Sequence, residues 1–387
     1  MHICFICNEY PPAPHGGYGS FVQTLGRALV RRGHEVSVVG VYPEGYGGEI
    51  NDHGVKVYRQ ERKASPGLRV LSAMMGVGRM LKKLQAERPV DLVEGSEDGF
   101  YLARGVAAPR VLRMHGGHFF FQHAQGKAVP WRLQIQEKWS FRTATDIAAV
   151  SHYVAEKTRE LLRLGRREIT VIPNAIDVEH FQPAAPELVE PGLIVFIGTM
   201  IEKKGVRQLV AAMERIVAAV PRARLELYGG DTVDPETGGS YEARIQALVP
   251  EGLRDRIAFR GRVARTEIPG ILARAELCCY PSHMEAHPIA WLEALAAGKA
   301  LVASATGPGP EVLEDGVTGV LCNPYDPESI ATAVIRVMQD EALRRRLERN
   351  ARQRAVTAYA LPQLVDRNVT YYESRIAAYR SGCRAAA

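Results

Sequence analysis

The chain lacks any apolar run near the ~20 residues that a membrane-crossing helix requires, so no such helix is expected. Its opening His-Ile-Cys-Phe-Ile-Cys run is too short for the core of a secretory signal and has no basic stretch before it. A cytoplasmic protein is expected. Cysteine is scarce, six in 387 residues. Cys4 and Cys7 form a C-x-x-C in what reads as a strand, where residues three apart point to opposite faces and do not easily share a metal. Cys278 and Cys279 are adjacent in another such run. Plain buried thiols are expected. What the chain does have is ordinary globular chemistry, 46% apolar and 24% charged, with length for two or three domains. Its net charge of +6 is lopsided. Residues 1–186 hold 24 Lys and Arg against 18 Asp and Glu, and the remainder holds 25 of each. The excess favours an acidic partner on the first half, a phosphorylated acceptor or an anionic lipid surface. A solvated basic face accounts for it equally well. Nucleic acid is not an expected partner.

Short apolar runs alternate with helical-periodic ones, the pattern of βαβ units and parallel sheets. Ile3 to Cys7 reads as a strand, Asn8 to Gly19 as a glycine-bearing loop, and Phe21, Val22, Leu25 and Leu29 share one helix face. Strands follow at Val36 to Val41, Leu92-Val93, Arg110 to Met114, Ile147 to Val150 and Ile169 to Ile172. Pro173 to Gly192, with four prolines, reads as a linker. The pattern then restarts. A strand at Leu193 to Ile197 precedes the Lys203-Lys204-Gly205 loop and an apolar-periodic helix. Strands recur at Leu225 to Tyr228, Ile257 to Phe259, Leu277 to Tyr280 and Leu301 to Ala303. Expected are an N-terminal domain over 1–185, a second over 186–362, and a C-terminal helix within 363–387 belonging with the first. Both domains read as doubly wound parallel sheets, which bind ligands outside their strand carboxyl ends. A cleft between two such halves is expected.

The most informative stretch is Ser282-His-Met-Glu285-Ala-His-Pro-Ile-Ala-Trp-Leu-Glu293-Ala-Leu-Ala-Ala-Gly298. It follows an apolar strand and leads into an apolar-periodic helix. Pro288 suits the first helical position and Gly298 the residue past the end. Glu285 then lies on the loop, and Glu293 roughly 7–8 Å further along the axis. Between them is a helix N-terminus, whose N–H groups and dipole favour a phosphate. Carboxylates on either side of a phosphate site can accept hydrogen bonds from the hydroxyls of two sugars. A nucleotide-diphosphate sugar presents that pattern, with a ribose at one end and a transferable sugar at the other.

These residues resemble glycosyltransferase family 4, retaining enzymes of the GT-B fold built from two facing Rossmann-like α/β domains. The likeness covers nearly the whole chain. It is carried by the paired glutamates, Gly298-Lys-Ala-Leu-Val-Ala-Ser, and Gly307-Pro-Gly-Pro-Glu311 through Gly319. In the first half it is carried by Gly16-Gly17-Tyr-Gly19, Arg32-Gly33-His34-Glu35-Val36, Val150-Ser151 and Ile172-Pro173-Asn174. The resemblance implies that Glu285 faces the donor sugar and Glu293 the ribose. It implies that Lys204 neutralises the diphosphate, that Gly16 and Gly17 cover the phosphates, and that His115 lies beside the reacting sugar. It implies no metal and no cofactor, only a nucleotide-sugar donor and a hydroxyl acceptor. Glu311, which opens a further helix, is either a ligand residue or an N-terminal charge.

Two departures bear on the donor. Relatives often carry Arg after the glycine matching Gly198, where this chain has Thr199, leaving Lys203 or Arg262 to supply the second cation. The usual Gly-Phe-Gly after the first glutamate is Ala286-His287-Pro288 here. The phosphate would then lean on the amides of Ile289 and Ala290, and His287 would approach the sugar. Two rival readings are an NDP-sugar 2-epimerase of similar fold and a non-catalytic nucleotide-binding subunit. The basic segment Arg59 to Arg88 has Leu68, Leu71, Met75, Leu81 and Leu84 at roughly helical spacing. It reads either as a peripheral membrane contact or as a helix packed on the first sheet.

Overall fold

The computed structural model describes residues 1–62, 69–100 and 106–386. The chain forms two compact units, Met1–Ala175 with Leu361–Ala387, and Ile176–Ala360. The first unit's strands are β1 (His2–Ile6), β2 (Glu35–Tyr42), β3 (Gly48–Asp52), β4 (Val55–Glu61), β5 (Leu92–Gly95), β6 (Arg110–Met114), β7 (Asp146–Ala149) and β8 (Ile169–Val171). Its helices are α1 (Gly17–Arg31), α2 (Arg69–Glu87), α3 (His118–Ala124), α4 (Trp131–Thr143) and α5 (His152–Leu162). The sheet order is β3-β4-β2-β1-β5-β6-β7-β8, parallel except for β3 against β4. Central strands read as unbroken apolar runs because both faces are covered. Ile3, Phe5, Val36, Val38, Leu92 and Val111 are fully buried. The β3–β4 hairpin was not legible, because β3 is an exposed polar edge with no apolar period.

The helix in the basic segment is α2. Val77, Leu81 and Leu84 are buried, and the helix packs on β2 and β4. These three side chains are therefore domain packing, whereas Met75 is 52% exposed. Lys82 and Lys83 are exposed, whereas Arg59 belongs to β4, is buried, and donates to the Pro11 carbonyl. Lys63 and Leu68 lie outside the described residues, as does the side chain of Leu71.

The second unit's strands are β9 (Leu193–Ile197), β10 (Arg224–Tyr228), β11 (Ile257–Gly261), β12 (Leu277–Tyr280), β13 (Leu301–Ser304) and β14 (Val320–Cys322). Its helices are α6 (Val206–Ala219), α7 (Tyr241–Ala247), α8 (Ile268–Arg274), α9 (Ile289–Ala296), α10 (Gly309–Val312), α11 (Pro327–Gln339) and α12 (Glu341–Arg354). The sheet is wholly parallel in the order β11-β10-β9-β12-β13-β14. This is a doubly wound order that reverses between β9 and β12, and such a reversal opens a ligand crevice at the strand carboxyl ends.

The proline-rich stretch after β8 is not a loose linker. Ile176, Val178 and Phe181 are buried in the second core, and Ile176 donates its N–H to the Tyr359 carbonyl at 2.9 Å. The units divide at 175/176, ten residues before the expected boundary, because those apolar side chains find cover there. The C-terminal helix α13 (Leu361–Ala386) packs Leu361, Leu364, Val365, Tyr372 and Ile376 into the first core. Its Asn368 and Tyr372 join a buried network in which Arg113 Nε donates to Glu94 Oε1 at 2.7 Å. Cys4, Cys7, Cys278, Cys279 and Cys322 are buried free thiols, and burial pushes those of Cys4, Cys278 and Cys322 up to about 12.

Candidate active site

In the second unit the reversal point gathers the predicted residues. Gly198 and Thr199 leave the end of β9. A single 3-10 turn, Glu202–Lys204, then leads into α6. That turn is anchored by Glu202, which accepts from Arg207, Gln208 and Tyr241. Burial raises the Glu202 carboxyl, but these donors outweigh it and bring it to about 2. Gly205 closes the turn at φ +71°, and a Cβ there would stand 1.9 Å from the Pro281 carbonyl oxygen. The turn thus lies directly on the segment leaving β12. The contact is extended by His283, which donates its N–H to the Lys203 carbonyl at 2.8 Å.

Across it Lys204 Nζ donates to Glu285 Oε1 at 2.5 Å. Lys204 was expected on the diphosphate and Glu285 on the sugar, and here each is the other's partner. Glu285 is largely buried and Lys204 half-buried. Lys203 is held below its ordinary value by burial and by the neighbouring Lys204 charge, with Glu285 opposing.

Helix α9 begins at Ile289. Pro288 caps it and is not its first helical residue, because its ψ of 115° is extended. The first intrahelical bonds run from Trp291 and Leu292 to the Pro288 carbonyl, so the amides of Ile289 and Ala290 precede them. The helix ends as its sequence reads. Gly298 at φ +63° donates to Leu295, and Lys299 donates to Ala294. Glu293 lies one turn inside, 5% exposed, with Arg265 Nη2 3.9 Å from Oε1. Burial pushes its carboxyl up to about 7 against the Arg265 charge. His287 is buried, edge-on to the Tyr359 ring at 5.4 Å, and burial lowers it to about 3, so it is neutral.

Thr199 is exposed. Arg262 is exposed as well, and its Nη2 lies 2.9 Å from where a Cβ on Gly230 would stand. Gly230 in turn accepts the Met200 N–H at 2.9 Å. Arg262 therefore borders the loop that carries Thr199. Glu311 lies in the first turn of α10, and its carbonyl accepts from Arg354.

In the first unit Gly16 caps α1, Gly17 opens it, and the first turn carries no acid. Glu9 Oε1 accepts the Gly19 N–H at 2.8 Å, and burial raises that carboxyl against the amides of Gly19 and Gly16. His115 follows the carboxyl end of β6, with its ring 5.0 Å from Tyr18 and 4.6 Å from Phe21 of α1. Two buried acids support the turn after it. Glu97 accepts the Gly116 N–H at 2.7 Å and Glu137 the Phe119 N–H at 3.1 Å. Burial and the neighbouring Glu137 push Glu97 up to about 8, and burial pushes Glu137 up to about 7. Among the described residues no group of three His, Cys, Asp or Glu is placed to hold a metal ion.

Two family models divide the chain. One described as Glycosyltransferase Family 4 matches residues 15–180, and one described as Glycosyl transferases group 1 matches residues 177–354. The chain belongs to glycosyltransferase family 4. It is a glycosyltransferase with the two Rossmann-like sheets of the GT-B fold. This family 4 member is 29% identical to a glycogen synthase of Mycobacterium tuberculosis, over 93% of this chain and 91% of that one. It is 25% identical to a GDP-mannose-dependent alpha-(1-6)-phosphatidylinositol monomannoside mannosyltransferase of the same species, over 87% and 89%. Among solved structures, a sucrose-phosphate synthase from Thermosynechococcus elongatus superposes with a TM-score of 0.85 at 22% identity, covering 98% of this chain and all of that one.

Within this glycosyltransferase, Arg265, Glu202, Glu9, Glu97 and Glu137 support candidate site residues and were not found from sequence. Glu9 carried a signal, since it stands seven residues ahead of Gly16-Gly17. Glu202 directly precedes the Lys203-Lys204 pair, and Arg265, Glu97 and Glu137 are single polar residues whose partners lie 18 or more positions away.

Proposed function

We propose that this enzyme moves a sugar from a nucleotide-diphosphate-sugar donor to a hydroxyl acceptor in the cytoplasm, with retention of anomeric configuration and without a metal. The observation that carries the reading is the Lys204–Glu285 pair, set where the second sheet reverses and beside the N-terminus of α9. Breaking the bond between sugar and diphosphate leaves negative charge on the departing phosphate. Lys204, the α9 amides of Ile289 and Ala290, and Lys203 or Arg262 are fixed donors for that charge, the role that a metal fills elsewhere. In this reading the diphosphate takes Lys204 from Glu285, and the freed carboxylate accepts hydroxyls of the transferred sugar. Glu293 accepts the ribose hydroxyls. Arg262, bordering the Thr199 loop, is the better-placed of the two replacements for the missing arginine. From the first unit we assign Gly16 and Gly17 to phosphate and His115 to the reacting sugar.

A thermal-shift panel of UDP, GDP, ADP, dTDP and CDP tests donor binding. A nucleotide present at 100 times its dissociation constant stabilises by about 2.7 kcal/mol, and no response to any of the five would remove the reading. Glu285→Gln is expected to lower turnover on the order of 10²-fold while nucleoside diphosphate still binds. Unchanged turnover would take Glu285 out of the site.

A further inference from the structure

Helix α4 buries one face through Glu137, Ser140 and Phe141. The opposite face carries Trp131, Ile135 and Trp139, which are 66%, 56% and 42% exposed. Residues four apart on a helix form one continuous stripe. Arg132, Lys138 and Arg142 are exposed along the same side. The Arg132 guanidinium lies 5.2 Å over the Trp131 ring, and the Lys138 ammonium lies 5.4 Å over Phe119. The helix has a single acid, Glu137, and it is buried. The exposed face is therefore aromatic, aliphatic and cationic, with no anion. Single exposed apolar residues are ordinary, but three in register on one helix mark an interaction surface. Tryptophan suits the boundary between water and lipid, with its ring in the apolar side and its N–H in the wet one. Arginine and lysine stems lie along apolar surface and carry their charges to its edge. Among the described side chains of α2, Val77, Leu81 and Leu84 are covered and Met75 alone of the large apolar ones is exposed.

We propose that the Trp131–Ile135–Trp139 stripe of α4 docks the enzyme on an anionic lipid surface. The apolar side chains enter the boundary between headgroups and acyl chains, and Arg132, Lys138 and Arg142 meet lipid phosphates. The proposal is independent of the donor and acceptor assigned above, because binding is read without either.

The test is co-sedimentation of the full chain with phosphatidylcholine vesicles, with and without phosphatidylglycerol, at low and high salt. Intrinsic fluorescence is read in parallel. The chain has three tryptophans, and the third, Trp291, is 1% exposed in the second core, so a change on adding vesicles reports on α4. Binding to the phosphatidylglycerol vesicles, weakened by salt and accompanied by a blue shift, is expected. The double variant Trp131→Ser with Trp139→Ser is expected to bind about tenfold more weakly or worse, with its thermal unfolding unchanged. Arg132→Glu with Arg142→Glu is expected to lose the preference for anionic vesicles, and Lys82→Glu with Lys83→Glu to keep it. Absence of binding to anionic vesicles at low salt would overturn the proposal, and so would undiminished binding by the tryptophan variant. Loss of binding on changing Lys82 and Lys83 alone would assign it to α2 instead. Self-association that the tryptophan variant abolishes, without vesicle binding, would make the stripe a protein interface.

Discussion

At the residue scale Glu285 and Glu293 of the candidate site each lie beside a cation. Lys204 and Glu285 neutralise each other at 2.5 Å, and Arg265 partly offsets Glu293. Lys204→Ala is expected to weaken nucleoside diphosphate by about 1.5–3 kcal/mol, the range for a charge-assisted contact, and nucleoside monophosphate much less. Isothermal titration with both ligands checks this, and equal losses would take Lys204 off the terminal phosphate. Glu293 shows the cost of keeping a carboxyl buried. Its folded value of about 7 lies above the ordinary 4.5. Its contribution to stability is therefore fully present below about pH 4.5 and lost as the pH rises through about 7. Glu293→Gln is expected to raise stability at pH 8 by up to about 3 kcal/mol, with the gain shrinking toward pH 5, while nucleotide affinity falls. Melting curves of both proteins across that pH range, with and without nucleotide, read the two effects. A variant less stable than wild type at pH 8 would show that the buried carboxyl is not the destabilising group.

At the element scale the candidate site rests on two short connections pressed together, the 3-10 turn of Glu202–Lys204 and the segment after β12. Gly205 makes this contact possible, since its φ of +71° costs an L side chain about 1–2 kcal/mol and a Cβ would overlap the Pro281 carbonyl. Gly205→Ala is expected to destabilise the second unit by more than that figure and to weaken diphosphate binding through the displaced Lys204. Denaturant unfolding and nucleotide titration together check it. Wild-type stability would mean that the turn relaxes without strain. Helix α9 shows what a local signal can and cannot place. Gly298 ends it as its sequence reads, whereas Pro288 stands one position outside the start.

At the scale of the whole molecule each unit has its own core, and the first is completed by the end of the chain. Leu361, Leu364, Val365, Tyr372 and Ile376 belong to that core, and Asn368 and Tyr372 complete the buried set around Arg113 and Glu94. A chain ending at Ala360 is expected to lose the first unit's cooperative fold, because those partners leave a buried ion pair undersatisfied. The second unit is expected to remain folded and to bind nucleotide. Hydrogen exchange across the two units reads this directly, and full protection of β1, β5 and β6 in the truncated chain would refute it.

The sequence by itself determined the class of fold and singled out the candidate residues around one helix start. Buried parallel strands need apolar residues on both faces, so β1, β9 and β12 were visible as unbroken runs. The two glutamates around a helix start were visible as spacing alone. Periodicity also announces that a helix has an apolar face, but not what covers it. Only the tertiary structure decided that Val77, Leu81 and Leu84 of α2 are buried while Trp131, Ile135 and Trp139 of α4 are exposed. It alone decided that Ile176, Val178 and Phe181 belong to the second core. It alone set Lys204 against Glu285 and Arg265 beside Glu293, residues 81 and 28 positions apart in the chain. Such pairings depend on which strand ends the sheet order brings together, and that order is settled by packing of the whole sheet, not by any local stretch of sequence.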